Sequence, residues 1–282
     1  ERPTKRIITG EEAYDGAGVR LTRVFGHHDT EDFDPFLMLD AFDSRNPDDY
    51  VRGFPWHPHR GIETITYLVS GDIEHGDSLG NRGSIRDGDC QWMTAGSGII
   101  HQEMPQPTER IWGAQLWLNL PAKNKMVTPS YRDIPPAAIP EFTTDDGIRV
   151  RVIAGASHGI AGAVQRPDTE PLYLDVHLSA GRRFVQPIAA GHNAFTYTYR
   201  GSVNIAGTTV GDRHMAILAN NGAGEVCIEA WEDARVLIIA GQPLKEPIAQ
   251  YGPFVMNTTE QIHQAMRDYE AGKFAGGVVQ SL

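Results

Sequence analysis

The chain consists largely of short runs rich in β-branched and aromatic residues, each bounded by glycine, aspartate, asparagine or proline. Runs of this kind are typical of strands that end in tight turns, and their close spacing favours a β-sandwich or β-barrel. The 30 glycines and 18 prolines among 282 residues supply the turns. The sequence therefore predicts an all-β fold, with strands within 19–25, 36–42, 62–69, 83–85, 90–94, 112–120, 148–154, 172–178, 195–199, 214–218, 225–230 and 235–240.

The strand pattern falls into two halves. Five prolines between residues 121 and 147 oppose a central strand or a long helix there, so this stretch is interpreted as a connection. Segments 65–71 and 195–201 resemble each other and lie 130 positions apart, which favours a duplicated β-domain. We expect one domain over residues 1–134 and a second over 135–282.

The end of the chain has the pattern of a helix. Thr258 and Gln261 have the spacing of a capping box, and Ile262, Met266 and Tyr269 fall on one helical face. We therefore expect a helical tail over 258–272, assigned to the second domain. Its apolar face is expected to pack on the second β-domain.

Two pairs of candidate metal ligands occur in the first half. His57 and His59 are separated by one residue, as are His101 and Glu103. Side chains two positions apart in a strand point to the same side, so each pair can reach one cation. Three imidazoles and one carboxylate suit Fe(II), Mn(II), Co(II), Ni(II) or Cu(II) better than Mg²⁺, Ca²⁺ or a structural zinc ion.

The other histidines have no second ligand at a useful spacing, and the equivalents of the first pair in the second half are Pro187 and Ala189. The second domain is therefore expected to lack a metal. Eight histidines are interpreted as structural, with the wall of a pocket as an alternative place for His192: His27, His28, His75, His158, His177, His192, His214 and His263.

Composition narrows the classes of partner and compartment. The formal net charge is −11, which argues against a surface that binds nucleic acid or anionic lipid. Two cysteines are too few for a disulfide framework, and the start of the chain has no apolar signal segment. No apolar run approaches the roughly 18 residues of a transmembrane helix. We expect a cytoplasmic protein.

The stretches around the ligand pairs resemble the signatures of the pirin family, which belongs to the cupins. The similar stretches are HPHRGIETITYL at 57–68, DSLGN at 77–81, DCQWMTAGSGIIHQEMP at 89–105, GPFVMNT at 252–258 and GKF at 272–274. The chain departs from the general cupin motif, His-x-His-x4-Glu, because Glu63 follows after three residues. It also has Thr94 where that motif has proline. We therefore expect Glu63 to be structural and Glu103 to be the acidic ligand.

The resemblance implies two jelly-roll cupin domains facing each other, with one metal in the first. The implied ligands are His57, His59, His101 and Glu103, and Fe(II) is the expected metal, with Mn, Co, Ni or Cu as alternatives. The implied activity is that of a quercetin 2,3-dioxygenase, which opens a flavonol with O2 and releases carbon monoxide. Glu103 would take the proton of the flavonol 3-hydroxyl. An apolar slot for the flat substrate is expected from the flanking residues Phe54, Trp56, Trp92 and Met93.

A second function remains open at this stage. Pirins are similar to metal-dependent partners of transcription factors and of a pyruvate dehydrogenase component, in which the redox state of the metal would control a binding surface without turnover. A cupin sugar-phosphate isomerase is disfavoured, because no basic cluster near the motifs could hold a phosphate. A monomer is expected from two domains that cover each other's apolar faces.

Overall fold

The computed structural model describes residues 1–26 and 29–275, and these residues form strands with one α-helix. The expected all-β fold with a short C-terminal helix is confirmed. None of the helices described has the length and apolar character needed to cross a membrane. His27 and His28, which the sequence assigned to the structural histidines, lie outside the described residues.

The strands are numbered in chain order. They are β1 (Thr4–Ile8), β2 (Glu11–Asp15), β3 (Val19–Phe25), β4 (Phe36–Ser44), β5 (Phe54–His59), β6 (Ile62–Ser70), β7 (Asp72–Asp77), β8 (Arg82–Arg86), β9 (Cys90–Thr94), β10 (Ile99–Pro105), β11 (Ile111–Asn119), β12 (Ser130–Ile134), β13 (Glu141–Thr143), β14 (Arg149–Ala154), β15 (Ala156–Ser157), β16 (Ile160–Ala161), β17 (Leu172–Leu178), β18 (Arg183–Ile188), β19 (Asn193–Arg200), β20 (Val203–Ile205), β21 (Thr208–Val210), β22 (His214–Leu218), β23 (Gly224–Ala230), β24 (Ala234–Gly241), β25 (Ala249–Tyr251) and β26 (Phe254–Met256). The helix is α1 (Thr259–Glu270), and short 3-10 turns cover Pro47–Asp49, Ala122–Asn124 and Pro136–Ala138.

The described residues form two compact units. The N-terminal unit comprises 11–26, 36–136 and 245–275, and the C-terminal unit comprises 1–10, 29–35 and 137–244. The chain passes from the N-terminal to the C-terminal unit after residue 136, close to the domain boundary expected after residue 134. Two segments differ from the expectation: the start of the chain belongs to the C-terminal unit, where β1 pairs with β22, and the tail belongs to the N-terminal unit. Edge-strand pairing and helix docking over long chain separations have no local signal in the sequence.

Each unit contains an antiparallel sheet of seven strands and one of four. In the N-terminal unit their orders are β12-β9-β6-β11-β4-β3-β2 and β5-β10-β7-β8. In the C-terminal unit they are β1-β22-β19-β24-β17-β14-β13 and β18-β23-β20-β21. The two orders correspond strand for strand, as a duplicated jelly roll requires. The edge strands β12 and β1 are the one exception. In the N-terminal unit, β12 pairs with β9 and follows the other strands of its sheet in the chain. In the C-terminal unit, β1 pairs with β22 and comes from the start of the chain.

Strand β11 is buried more completely than its sequence suggests. Its alternation of polar and apolar residues predicts a strand with one side in water, yet Leu116, Trp117 and Asn119 are all buried. Gln115 lines an internal cavity. The polar positions of this strand therefore point into the N-terminal unit rather than into solvent.

The tail helix packs on the strands of the N-terminal unit. Thr258 and Gln261 form the expected capping box, and Ile262 and Ala265 join a cluster with Ile100 and Phe254. Arg60, which directly follows β5, makes two contacts with the tail. Its Nη1 donates to Asp268 at 2.9 Å, and its guanidinium lies over the Phe274 ring. The helix thereby supports the end of β5, the strand that carries two predicted ligands.

Candidate metal centre

Three histidines from two neighbouring strands meet inside the N-terminal unit. His57 and His59 lie on β5, and His101 lies on β10 directly opposite His57. Their ring centroids are 4.4 to 5.0 Å apart. One nitrogen from each ring lies within 4.8 Å of the others. The alternation of side chains along a strand and the register between two strands together produce this cluster.

The three rings have the protonation state that a metal needs. Burial lowers the pKa of His57, and it lowers the pKa values of His59 and His101 well below the ordinary value, helped by the neighbouring rings. His57 Nδ1 donates to the Pro55 carbonyl at 2.7 Å, which leaves its other nitrogen as a lone-pair donor. Neutral imidazoles of this kind are ligands for divalent transition metals.

Two nitrogens of these three rings are buried without a hydrogen bond. Within 1–26 and 29–275, His59 Nδ1 and His101 Nε2 have no partner. A buried polar atom in this state costs free energy unless a ligand satisfies it. The donor set and its unsatisfied atoms therefore fit a bound divalent transition metal.

Glu103 lies beside the histidines but outside their cluster. Among the described residues, the three imidazoles form a group that could hold a metal ion, and the Glu103 carboxylate does not belong to this group. Its Oε1 accepts a hydrogen bond from Gln115 Nε2 at 3.0 Å. Burial raises the pKa of Glu103 to about 7, against the lowering effect of hydrogen bonds from Gln115 and Thr66. The structure brings three of the four predicted ligands together and places the fourth on the adjoining cavity wall.

His57 and His59 line a cavity of about 520 Å³. Of the predicted slot residues, Phe54 and Trp56 line it. Strand β5 has an extra residue here, with Pro55 and Trp56 set against Gln102. This bulge allows Phe54 and His57 to line the same cavity although they are three positions apart.

The other two predicted slot residues lie elsewhere. Trp92 and Met93 are fully buried on β9, and neither is among the residues that line the cavity. Met93 packs in the apolar core with Met38 and Trp117. Their proximity in sequence to His101 does not place them at the site, because a turn separates β9 from β10.

Glu63 has a partner of its own, away from the histidine cluster. It is buried and accepts a hydrogen bond from the Thr94 hydroxyl at 2.7 Å. The two residues that depart from the general cupin motif therefore contact each other. Among the histidines expected to be structural, His177 contacts Asp175 at 3.1 Å and His192 contacts Gln242 at 2.9 Å.

Sequence reasoning missed a row of polar residues across the seven-stranded sheet. Arg23 on β3 is the cross-strand partner of Asp40 on β4, and Asp40 is the partner of Gln115 on β11. All three line the cavity. The available signal was Asp40 itself, a charged residue inside the apolar run FLMLDAF at 36–42, because buried charges are rare without a role.

The fold and the site define a bicupin protein with a candidate metal centre in its N-terminal domain. Comparison with family models matches residues 18–118 to Pirin and residues 173–275 to the Pirin C-terminal cupin domain. The chain belongs to the pirin family, and the resemblance drawn from its motifs is confirmed.

Similar proteins extend over nearly the whole chain. A Pseudomonas aeruginosa protein named "Putative quercetin 2,3-dioxygenase PA3240" is 52% identical, covering 97% of this chain and 98% of its own. A Caulobacter vibrioides protein named "Pirin-like protein" is 46% identical, covering 97% and 99%. The crystal structure of quercetin 2,3-dioxygenase from Acinetobacter baumannii matches with a TM-score of 0.89 and 34% identity, covering 97% and 98%.

Proposed function

We propose that this protein is a metal-dependent dioxygenase of the quercetin 2,3-dioxygenase type, which cleaves flavonols with O2. The observation that carries the proposal is the cluster of three neutral imidazoles, of which His57 and His59 line a cavity of about 520 Å³ and His101 lies buried behind them. Cavities of a few hundred cubic ångströms suit small organic ligands. The names of the Pseudomonas relative and of the Acinetobacter structure support this substrate class.

His57, His59 and His101 would hold the metal, for which we propose Fe(II). A bound divalent transition metal would supply Lewis acidity toward a substrate oxygen and redox chemistry toward O2. The protein contributes a preformed site, because the hydrogen bond from His57 Nδ1 to Pro55 fixes the orientation of that ring.

Glu103 is our candidate for the base that takes the proton of the flavonol 3-hydroxyl. Its carboxylate lies on the cavity wall two residues from His101, and Gln115 holds one of its oxygens. One carboxylate oxygen thereby has a fixed position while the group remains within the cavity. A general base needs this combination of reach and orientation.

Aromatic side chains on the cavity wall suit a flat substrate. Phe54 and Trp56 come from β5, and Trp117 comes from the opposite sheet. Rings on both sides can stack on the planar ring system of a flavonol and exclude water from it.

The test is an absorbance assay of metal-loaded protein with quercetin, in air and without oxygen. We expect oxygen-dependent loss of quercetin absorbance by the wild type, and loss of both activity and bound metal in H101A. The matched control is H263A, which changes an exposed histidine on α1 and should keep both.

One outcome would contradict the proposal and favour the second function considered from the sequence. Stoichiometric metal in the wild type with no consumption of any flavonol would indicate a metal- or redox-sensing regulatory protein with a protein partner. A protein that binds no metal would contradict both functions.

A further inference from the structure

An ion pair with a buried carboxylate lies in the wall of the metal-site cavity. Arg23 Nε donates to one oxygen of Asp40 at 2.9 Å, and Nη2 donates to the other at 2.9 Å. Asp40 is 4% exposed, whereas Arg23 remains partly open to the cavity. The hydrogen bonds to Asp40 raise the pKa of Arg23 above its ordinary value, so the guanidinium is charged at all working pH values.

Stability alone gives little reason for such a pair. Replacing a buried ion pair by apolar residues of similar size is often neutral or stabilising, because the desolvation cost offsets the attraction. A charged pair in the inner face of a sheet that otherwise packs a core therefore points to a ligand.

The hydrogen-bonding groups of Arg23 and Asp15 in the cavity determine which chemical groups a ligand needs at this place. Asp40 and Asp15 occupy Nε and Nη2 of Arg23, and Nη1 has no hydrogen bond to any residue in the described ranges. Asp15 also lines the cavity, and its side chain is about half exposed. The Asp15 carboxylate accepts from Arg23 Nη2 at 3.0 Å and from the Gly16 backbone at 2.7 Å, so a guanidinium and a carboxylate lie next to each other at one place in the cavity.

A phenolic hydroxyl matches this pair of groups. Its oxygen accepts from the guanidinium while its O–H donates to the carboxylate. A carboxylate or phosphate on the ligand matches poorly, because Asp15 and Asp40 already outnumber the single arginine charge. A ring without a hydroxyl offers Nη1 of Arg23 no acceptor and offers Asp15 no donor besides Arg23 and Gly16, so it loses hydrogen bonds to two charged groups.

Arg23 and Asp15 lie on strands that are separated from the candidate metal site by other strands of the sheet. Arg23 lies on β3, and β4 separates it from β11, whose Gln115 holds Glu103. Two strand spacings amount to about 10 Å. A flavonol bound through its 3-hydroxyl near Glu103 has linked rings that extend over such a distance.

We propose that Arg23 and Asp15 determine the substrate class, selecting flavonols that carry a free hydroxyl on a ring remote from the metal-binding oxygen. This inference rests on the proposed function. It makes Arg23 and Asp15 specificity residues for the substrate, with Asp40 as the residue that positions Arg23.

The test compares the affinities of two ligands for metal-loaded protein without oxygen, followed by fluorescence. Quercetin carries the remote hydroxyls, and 3-hydroxyflavone lacks them. We expect the wild type to bind quercetin at least about 10-fold more tightly, as hydrogen bonds to charged groups allow. The variant D15A, which leaves the Arg23–Asp40 pair intact, should lose most of this preference while its affinity for 3-hydroxyflavone stays the same.

A second variant addresses the arginine. R23Q alone would remove the positive charge that faces the buried Asp40 carboxylate, so R23Q/D40N removes both charges together. It should also lose the preference for quercetin. The matched control is R20Q, since Arg20 lies on the same strand, pairs with Glu12 and is not a cavity residue. It should retain the wild-type preference.

Two results would overturn the inference, and they are distinguishable. If both flavonols bind and D15A and R23Q/D40N retain the wild-type preference, Arg23 and Asp15 do not select the substrate, while the proposed function stands. If neither flavonol binds the metal-loaded wild type, the proposed function fails and this inference fails with it.

Discussion

Gln115 Nε2 donates to Glu103 Oε1 at 3.0 Å, and these two residues belong to different sheets of the N-terminal unit. Trp117 Nε1 approaches Gln115 Oε1 at 3.4 Å, and Gln115 also donates to Thr66 Oγ1. The Glu103 side chain is therefore positioned by the seven-stranded sheet, although its backbone belongs to the four-stranded sheet with the histidines. This contact links the candidate base to the wall of the cavity.

The first prediction concerns this contact. Replacing Gln115 by leucine removes the donor to Glu103 but leaves the three histidines in place, so Q115L should retain its metal. Flavonol turnover should fall about 10-fold, as expected when a catalytic group loses its orientation. The measurement is the rate of quercetin loss together with metal content.

The matched control for Q115L is Q91L. Gln91 lies in the same sheet, is buried and also donates to a carboxylate, that of Asp133 at 3.0 Å, but it is not a cavity residue. Equal rates in Q115L and the wild type would show that Glu103 does not need this contact.

The second prediction concerns Gly61, two residues after His59. Its φ is +84°, and an added Cβ would lie 2.0 Å from the Val255 carbonyl oxygen. Gly80 has a similar φ of +88°, but a Cβ there would meet nothing within 4 Å. G80A should therefore cost about 1 kcal/mol from backbone strain alone, and G61A at least about 3 kcal/mol.

Urea unfolding of the two alanine variants measures this difference. Because both substitutions impose the same backbone strain, their difference isolates the close approach of Gly61 to the tail strand. Similar losses of stability in G61A and G80A would show that the backbone around Val255 can move away from the added methyl group at little cost.

The third prediction is a pH dependence of stability caused by Lys125. Its Nζ is buried and lies 2.7 to 2.9 Å from three acceptors, the carbonyl oxygens of Gly61 and Val255 and Asn119 Oδ1. Burial lowers the pKa of Lys125 to about 7, partly opposed by Glu246, whereas the ordinary value is 10.5. Between these two values the unfolded chain binds a proton that the folded protein does not.

The free energy of unfolding should therefore rise with pH above 7 through this residue, by at most about 1.4 kcal/mol per pH unit. Urea unfolding of the wild type and K125M at pH 7, 8 and 9 isolates the contribution. The stability of the wild type relative to K125M should increase along this series. A constant difference would show that the three acceptors keep Lys125 protonated in the folded protein.

The parts of the site that could be predicted from sequence depend on short-range geometry. His57 and His59 share a face because side chains alternate along a strand, and His101 joins them because β10 pairs with β5. The capping box of α1 is likewise a local pattern that the structure confirms.

The parts that could not be predicted depend on contacts between distant segments. Arg23, Asp40 and Gln115 meet through the register of three strands, and Glu103 turns to Gln115 across two sheets. The docking of the tail on the N-terminal unit is also a long-range contact. Trp92 was expected at the slot because it is near His101 in sequence, but the turn between β9 and β10 leaves it in the core.

If the three histidines hold a metal that supports flavonol cleavage by O2, the two substrates should disappear together. An oxygen electrode and an absorbance record on the same metal-loaded sample should show equimolar consumption of O2 and quercetin by the wild type. H101A should bind the metal at least about 100-fold more weakly, since changes to residues that merely support a ligand already cost 10- to 100-fold. It should consume neither substrate. Oxygen and quercetin left unchanged by wild-type protein that carries one metal per chain would show that this metal does not support flavonol cleavage.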